Sequence, residues 1–402
     1  MIVGASLAGV RAAETLRTEG FDGRIMMVGS ERHMPYDRPP LSKKFLAGEW
    51  EADRIRLRAP DALASIDAEW ILGNPAVRLD ARSRRVELDD GRRVDFDGLV
   101  IATGGVARRL PGQPVLDGVH VLRTLDDAST LRDDLVEGAK VVVIGAGFIG
   151  LEVAATAVQR GATVTVLEGL EAPLVRGLGT TMGNAVGEAH RRRGVSIRCG
   201  VSVTSLIGNG RITGVALGDG EIIPADVVLV GIGVAPATEW LSGSGLEIRD
   251  GVVCDQFLNV GVPGVFAAGD VTRWPNGLFI DVEPTMRVEH WTNAAEQGAH
   301  AAKNLVAWLG GGEPSPYAAV PFFWSDQFDM RLQFLGRSVP GATVDVVAGS
   351  PDEGRWCAIY SMNDRLIGVL GVSMPKLVMP IRSLLSVVTS RADALAHFAA
   401  QN

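Results

Sequence analysis

The sequence predicts an α/β chain with two Rossmann-like dinucleotide-binding domains and a C-terminal α/β domain that carries an antiparallel sheet. Three observations predict it. An apolar strand, a glycine-rich turn and a helix-period segment follow one another at the start of the chain and again from Lys140. Beyond Pro321 the texture changes to short segments that alternate like antiparallel strands. The length, 402 residues, exceeds the size at which a single hydrophobic core stops growing.

Taken in order, Met1 to Val3 supply a strand before the turn in "MIVGASLAG", short enough for a central strand that a few residues could be missing before it. Helix periodicity runs from Ala8 to Arg17, and Arg24 to Val28 is strand-like. The stretch "GLVIATGG", 98–105, is a strand entering a glycine turn. From Lys140 come strand "KVVVI", turn "GAGFIG", a helix to Arg160, strand "ATVTVL" and then Glu168. Two such βαβ units imply two separate nucleotide-binding domains. "ADVVLVGIGVAPAT", 225–238, and "GVFAAGDVT", 264–272, again end apolar strands in small-residue turns. The Gly/Pro-rich 310–316 is the best boundary signal, followed by strands Met330 to Gly336, Thr343 to Ala348 and Trp356 to Met362 and a helix in 375–388. The expected domains are 1–107 with 240–318, 108–239, and 319–402.

Bulk properties exclude several classes. With 47 acidic against 39 basic residues the net charge is −8, which argues against a general nucleic-acid binder. Cys199, Cys254 and Cys357 lie far apart with no CxxC spacing, which disfavours a disulfide framework, a cysteine metal site and a local redox disulfide. The six histidines lack paired ligand spacing, so no metal is expected. The apolar window Val141 to Val158 holds three glycines in a turn pattern and Glu152, and reads as strand, turn and helix instead of a membrane span. With no secretory signal at the N-terminus, a soluble cytoplasmic protein is the expectation.

The second unit carries Gly145-x-Gly147-x-x-Gly150 with Glu168 at the end of the next strand. Each residue has its own reason. Gly145 allows the tight turn, Gly147 lets a pyrophosphate approach the backbone, and Gly150 lets helix and strand pack closely; Ile149 lies in the same turn. The helix N-terminus offers N–H groups and a positive dipole end, and Glu168 can accept from ribose hydroxyls. A carboxylate there repels a 2′-phosphate, and no Arg or Lys follows until Arg176, so NADH is favoured over NADPH. The strand-end turn at Gly231 and Gly233 belongs with this unit.

The first unit reads Gly4-x-Ser6-x-x-Gly9, with Ala8 in the turn. Serine stands where the second glycine belongs, and the acid is displaced by Ser30 to Glu31. Thr103 and Gly104 close its later strand. Two dinucleotide folds in one chain suggest FAD with a nicotinamide, one storing the hydride that the other delivers. The "AAGD" at 267–270 adds a buried strand ending in Gly269, with Asp270 placed to bond a ribityl hydroxyl.

Taken together, "VGASLAG", "PYDRPPLSK", "LVIATGG", "VVVIGAGFIGLEVAATA", "VFAAGD", "EHWTNAAEQG" and "FFWSDQF" resemble the NADH-dependent ferredoxin reductases of bacterial oxygenase systems, of the putidaredoxin reductase type and related in fold to glutathione reductase. The resemblance covers nearly the whole chain. Disulfide-reductase relatives carry a CxxxxC pair beside the flavin, where this chain has "PYDRPPLSKKFL". Electrons must then pass from flavin to an external acceptor.

The resemblance implies that Pro39 and Lys43 lie near the isoalloxazine, with Lys43 contacting the ring or pairing with Glu152, and that Glu152 lies near the nicotinamide carboxamide. A carboxylate one turn into a helix also gains from the helix dipole, so both explanations of Glu152 stay open. It further implies that Arg123 meets the flavin cofactor, that Trp291 brings its backbone to the flavin ring, that Ala76 presents its backbone to adenine, and that Trp324 lies at the flavin's outward edge. The implied partner is a two-iron two-sulfur ferredoxin, docking near Arg58, Trp324 and Arg382 and feeding a mono- or dioxygenase. The alternatives are an NADH oxidase, a rubredoxin reductase, or a binding and signalling flavoprotein of the apoptosis-inducing-factor kind.

Overall fold

The structure of the protein is a computed structural model that describes residues 1–400. Its principal elements, in chain order, are β1 (Ile2–Val3), α1 (Leu7–Thr18), β2 (Ile25–Val28), β3 (Ala68–Ile71), β4 (Leu99–Ile101), β5 (Val119–His120), β6 (Lys140–Ile144), α2 (Phe148–Gln159), β7 (Thr163–Glu168), α3 (Val175–Arg191), β8 (Ser196–Cys199), β9 (Val227–Val230) and β10 (Val265–Ala267). They continue with α4 (Trp291–Leu309), β11 (Phe322–Gln327), β12 (Met330–Gly336), β13 (Thr343–Ser350), β14 (Arg355–Met362) and β15 (Arg365–Val372). The chain forms two compact units, one from Met1–Asp37, Arg56–Val106 and Ala235–Phe322, the other from Arg38–Ile55, Ala107–Val234 and the residues from Phe323 onward.

The first unit is built on a parallel sheet in the order β10-β4-β1-β2-β3. Its β1, β2, β4 and β10 are buried along their whole length, as expected of a parallel sheet covered on both faces. Val3 is level with Val28 and Ile101, and Ile101 is level with Ala267. The carboxyl ends therefore deliver Gly4, Gly29, Ala102 and Ala268 to one edge. Helix α4 lies against α1, and a Cβ at Gly298 would stand 2.2 Å from the Ala8 carbonyl oxygen, so only glycine permits that approach. Strands Ala76–Asp80, Arg85–Leu88 and Arg93–Asp95 make a small antiparallel sheet in the same unit.

The second unit repeats the plan with the parallel order β8-β7-β6-β9-β5. Ile144 is level with Leu167 and Val230, so the turn after β6 sits between the ends of β7 and β9. A meander of Val203–Asn209, Arg211–Leu217 and Ile222–Pro224 packs Leu206, Ile212, Val215 and Leu217 against Val142, Ile144 and Val228. The C-terminal sheet of this unit runs β11-β12-β15-β14-β13, with antiparallel pairing through β12, β15, β14 and β13.

One strand gave no signal in the sequence, and one expectation needs correction. Strand β15, "RLIGVLGV", gives no period-two signal because it is central and buried at every position. The helix expected over 375–388 is instead three short pieces, Pro375–Val378, Met379–Ile381 and Arg382–Leu385. Pro380 supplies no N–H and its ring clashes with the preceding turn, which breaks the helix there.

Candidate functional site

The second fingerprint turn shows why each glycine stands where it does. Gly145 has φ +103°, and a Cβ there would lie 2.4 Å from Gly231 O; a Cβ at Gly150 would lie 2.2 Å from Gly145 O. Both are demanded by protein packing. Gly147 is not, because its φ is −76° and a Cβ there would meet no protein atom within 4 Å. Ile149, 46 % exposed, stands beside that open space.

Glu168 is the last residue of β7. Its Oε2 accepts from Ala146 N–H at 2.7 Å and its Oε1 from Leu170 N–H at 2.9 Å. The acid therefore closes the fingerprint turn, and each oxygen keeps a further lone pair for a ribose hydroxyl. Gly231 and Gly233 follow β9 on the other side of the turn.

In the first unit Gly4 has φ +119°, and a Cβ on it would stand 2.0 Å from Ala102 O, while a Cβ on Gly9 would stand 1.8 Å from Gly4 O. Ser6, the counterpart of Gly147, is the N-cap of α1 and makes no side-chain cap bond. Ala8 is buried in the first turn of that helix, and Ser30 and Glu31 follow β2, where Tyr36 Oη donates to Glu31. Thr103 and Gly104 follow β4, and Thr103 Oγ1 donates to Ala237 O at 2.9 Å. Gly269 and Asp270 follow β10. Gly269 N–H donates to Gln297 Oε1 at 2.9 Å, and Gln297 Nε2 is buried without a partner in the protein. Trp291, the first residue of α4, donates Nε1–H to Asp37 Oδ1 at 2.6 Å. Ala76 opens its small sheet opposite Leu88, apart from these strand ends in sequence.

Within the second unit, the stretch "PYDRPPLSK" contributes a tight turn, Pro39–Ser42, which presents Ser42 and Lys43 to α2. Lys43 Nζ lies 2.7 Å from Glu152 Oε2 and donates to Pro39 O at 3.0 Å. Ser42 Oγ donates to the same Glu152 oxygen, and Ser325 Oγ donates to Glu152 Oε1 at 2.6 Å. Gln327 Nε2 donates to Ser325 Oγ at 2.9 Å, and Gln327 Oε1 meets His190 Nε2 at 2.8 Å.

Glu152 is 3 % exposed, and such a burial is tolerable only because the carboxylate is paired and hydrogen-bonded. Of the two alternatives the resemblance implied for Lys43, the structure has the pair with Glu152; Ser42, Ser325, Gln327 and His190 were not singled out in the sequence. Period two places Ser325 and Gln327 on one face of β11, but only the structure shows that face buried and Trp324 and Asp326 half-exposed, so no signal in the sequence marks them.

Arg123 enters the same unit through its backbone: its N–H donates to Asp127 Oδ2 at 3.0 Å and its carbonyl accepts from Arg38 Nη1. Arg58 is already engaged, with Nε 2.6 Å from Glu14 Oε1. The three thiols are free. Burial pushes the Cys254 thiol far up and that of Cys357 up to about 12, so neither is a thiolate at neutral pH. The variant with all three replaced by alanine should keep the wild-type rate of NADH-driven turnover; a large loss would assign a redox role to a thiol.

The residues present fit two dinucleotides. Helices α1 and α2 each start above a glycine turn and, like α3 and α4, have no side-chain cap, whereas the short helix Leu125–Asp134 has a full capping box from Thr124 and Asp127. A phosphate is the natural cap for an uncapped N-terminus above a glycine turn. The open space at Gly147 lies in the second fingerprint turn, and the orphaned Gln297 amide stands on α4 beside the Gly269 turn at the end of β10.

Two such turns in one chain define a two-dinucleotide oxidoreductase. Residues 1–298 match the family described as pyridine nucleotide-disulphide oxidoreductase, and residues 322–400 match the one described as reductase C-terminal. The chain belongs to the pyridine nucleotide-disulphide oxidoreductase family. It is 37% identical over 392 residues to rhodocoxin reductase of Rhodococcus erythropolis, covering 96% of this chain and 89% of that one. It is 40% identical over 382 residues to the ferredoxin--NAD(+) reductase component of the p-cumate 2,3-dioxygenase system of Pseudomonas putida, covering 94% and 90%. Among solved structures, the covalent putidaredoxin reductase-putidaredoxin complex matches with a TM-score of 0.91 at 33% identity, over 100% of this chain and 97% of that chain. No helix among the described residues is long and apolar enough to cross a membrane.

Proposed function

We propose that the protein is an FAD-dependent ferredoxin reductase that takes reducing equivalents from NADH and passes single electrons to a two-iron two-sulfur ferredoxin serving an oxygenase. The observation that carries the proposal is the Lys43–Glu152 pair in a chain whose thiols are all free, in the stretch where the resemblance implies that disulfide-reductase relatives carry cysteines. Relatives named for ferredoxin reduction in oxygenase systems support the partner class.

FAD, when bound, supplies a flavin that accepts hydride at N5 and releases electrons one at a time. The chain's own residues bind and orient. Gly4, Ser6, Ala8 and Gly9 hold the FAD pyrophosphate over α1, Ser30 and Glu31 its ribose, Thr103 and Gly104 the adjoining backbone, and Gly269 and Asp270 the ribityl chain. Gly145, Gly147, Ile149 and Gly150 hold NADH over α2, with Glu168 at the ribose and Gly231 and Gly233 beside it. Pro39 gives a stiff wall, Lys43 a fixed positive charge and Glu152 its partner. Arg123, Trp291 and Ala76 complete the FAD contacts, and Trp324 with Arg382 marks the exit for electrons; Arg58 takes part only by leaving Glu14.

The functional division is an FAD part, 1–107 with 240–318, an NADH part, 108–239, and an acceptor part, 319–402. With NADH as reductant the protein works in the cytoplasm.

The test is NADH-driven cytochrome c reduction with and without a two-iron two-sulfur ferredoxin. The rate should rise steeply with ferredoxin while oxygen consumption stays low. No response to ferredoxin with fast oxygen consumption would establish an oxidase instead, and flavin reduced into a long-lived complex that passes electrons to nothing would establish a signalling role.

Glu168 gives a second test. Replacing Glu168 by arginine should narrow the preference for NADH over NADPH, because the repulsion of a 2′-phosphate is removed. The ratio of kcat/KM for the two nucleotides reads it, and an unchanged ratio would remove Glu168 from the ribose.

A further inference from the structure

We propose that Ser325 and Gln327 of β11, backed by His190 of α3, form a one-way hydrogen-bond chain that positions Glu152 against Lys43, so that the strand opening the C-terminal sheet sets the charge arrangement at the redox centre. The proposal rests on the role given above to Lys43 and Glu152.

The direction of the chain follows from its end. A carboxylate can only accept, so the Ser325 hydroxyl, 2.6 Å from Glu152 Oε1, must donate its hydrogen to Glu152. Ser325 Oγ is then free only to accept, which turns the Gln327 Nε2 amide, at 2.9 Å, toward it. That orientation points Gln327 Oε1 at the imidazole, 2.8 Å away, and requires His190 Nε2 to carry the hydrogen. Every hydrogen bond in the chain is thereby polarised toward Glu152.

His190 closes the chain and leads nowhere. It is wholly buried, and its Nδ1 has no partner in the protein. Phe328 packs edge-on at 5.1 Å, and Arg193 caps that ring from 5.7 Å. Burial lowers the imidazole to about 4, so it stays neutral and keeps one hydrogen at neutral pH. Within the protein the chain ends at His190, and its role in the proposal is to orient Glu152.

The other side of Glu152 shows what is being oriented. Oε2 takes Ser42 Oγ–H and Lys43 Nζ, and Lys43 also reaches Pro39 O. With Oε1 pinned by Ser325, rotation of the carboxylate is blocked and the ammonium is held at one place. Ser42 and Lys43 come from the proline-rich turn, Glu152 from α2 and Ser325 from β11. Three separate pieces of sequence therefore fix one charge pair. Gln327 and His190 touch neither Lys43 nor any reacting atom and are positioning residues.

The experiment compares Ser325→Ala and Gln327→Met with Glu152→Gln in the FAD-loaded enzyme. Anaerobic stopped flow gives the limiting rate of flavin reduction and the NADH dissociation constant, and a spectroelectrochemical titration gives the flavin midpoint potential. Hydrogen exchange of 38–45 is followed in the protein stripped of FAD. The expected result is a limiting rate lowered about tenfold in Ser325→Ala, the loss of one hydrogen bond to a charged group. The NADH dissociation constant should hold, the potential should shift in the same direction as in Glu152→Gln, and exchange in 38–45 should quicken.

In the Glu152→Gln background, Ser325→Ala should cost much less than in the wild type. If Glu152→Gln slows reduction while Ser325→Ala and Gln327→Met leave rate, potential and exchange unchanged, the chain does not position Glu152. Equal factors in both backgrounds would also overturn it, since a merely structural loss adds. If Glu152→Gln itself changes nothing, the role of Glu152 falls and the inference falls with it.

Discussion

Gly147→Val should weaken NADH binding about 100-fold while lowering the melting temperature of the protein only slightly, by the loss of a favoured N-cap glycine. The stability half of the expectation comes from the backbone: φ is −76°, ordinary for any residue, and a Cβ would meet no protein atom within 4 Å. The binding half comes from the ligand. A pyrophosphate seated on the α2 N-terminus must come within hydrogen-bond distance of the backbone, and a branched side chain there pushes it out. Loss of two charge-assisted hydrogen bonds amounts to about 3 kcal/mol, or about 100-fold in the dissociation constant.

The neighbouring glycines behave oppositely. Gly145→Ala and Gly150→Ala place a Cβ 2.4 Å and 2.2 Å from carbonyl oxygens, so both should lower the melting temperature before any question of binding arises. Isothermal titration with NADH beside thermal melts of all three variants separates the effects. Normal NADH affinity in a stably folded Gly147→Val protein would remove the pyrophosphate from this turn.

The contrast between the three glycines also marks how far the sequence could be read. Strand, turn and helix were legible at both fingerprints, and the strand-ending acid at the second, because each rests on local chemistry: a required positive φ, a close approach, a period change. The serine at position 6 fits the same logic, since its position, like that of Gly147, heads a helix without a side-chain cap. Central strand β15 was illegible because burial on both faces erases alternation. The cradle of Glu152 was illegible for a different reason. His190, Ser325 and Gln327 are unremarkable polar residues in sequence, and only the packing of α3, α2 and β11 within one unit brings them into line. Asp37 was missed likewise, although it accepts from Trp291 Nε1–H at the start of α4 within the first unit.

Glu152→Ala should be strongly destabilising to the second unit. It removes the partner of Lys43 and the acceptor for two buried hydroxyls, Ser42 and Ser325, at a place where Glu152 is 3 % and the Lys43 side chain 17 % exposed. Breaking one side of a buried pair costs about 3–5 kcal/mol, because the remaining charge stays desolvated and unpaired. For a unit of this size that lowers the unfolding midpoint by roughly 10 °C. Lys43 is partly open, so water entering beside it places the outcome at the lower end of the range.

The double variant Lys43→Met with Glu152→Leu distinguishes pair energy from packing. With both charges gone and the volume kept, the midpoint should recover most of the loss, although the two hydroxyls must then pair with each other or with water. Activity should not recover with it. The positive charge that the proposal sets beside the flavin is absent in the double variant, so the limiting rate of flavin reduction should stay as low as in Glu152→Ala. Differential scanning calorimetry and anaerobic stopped flow on the same preparations read the two quantities. A double variant that regained both stability and rate would show that the pair serves the fold alone.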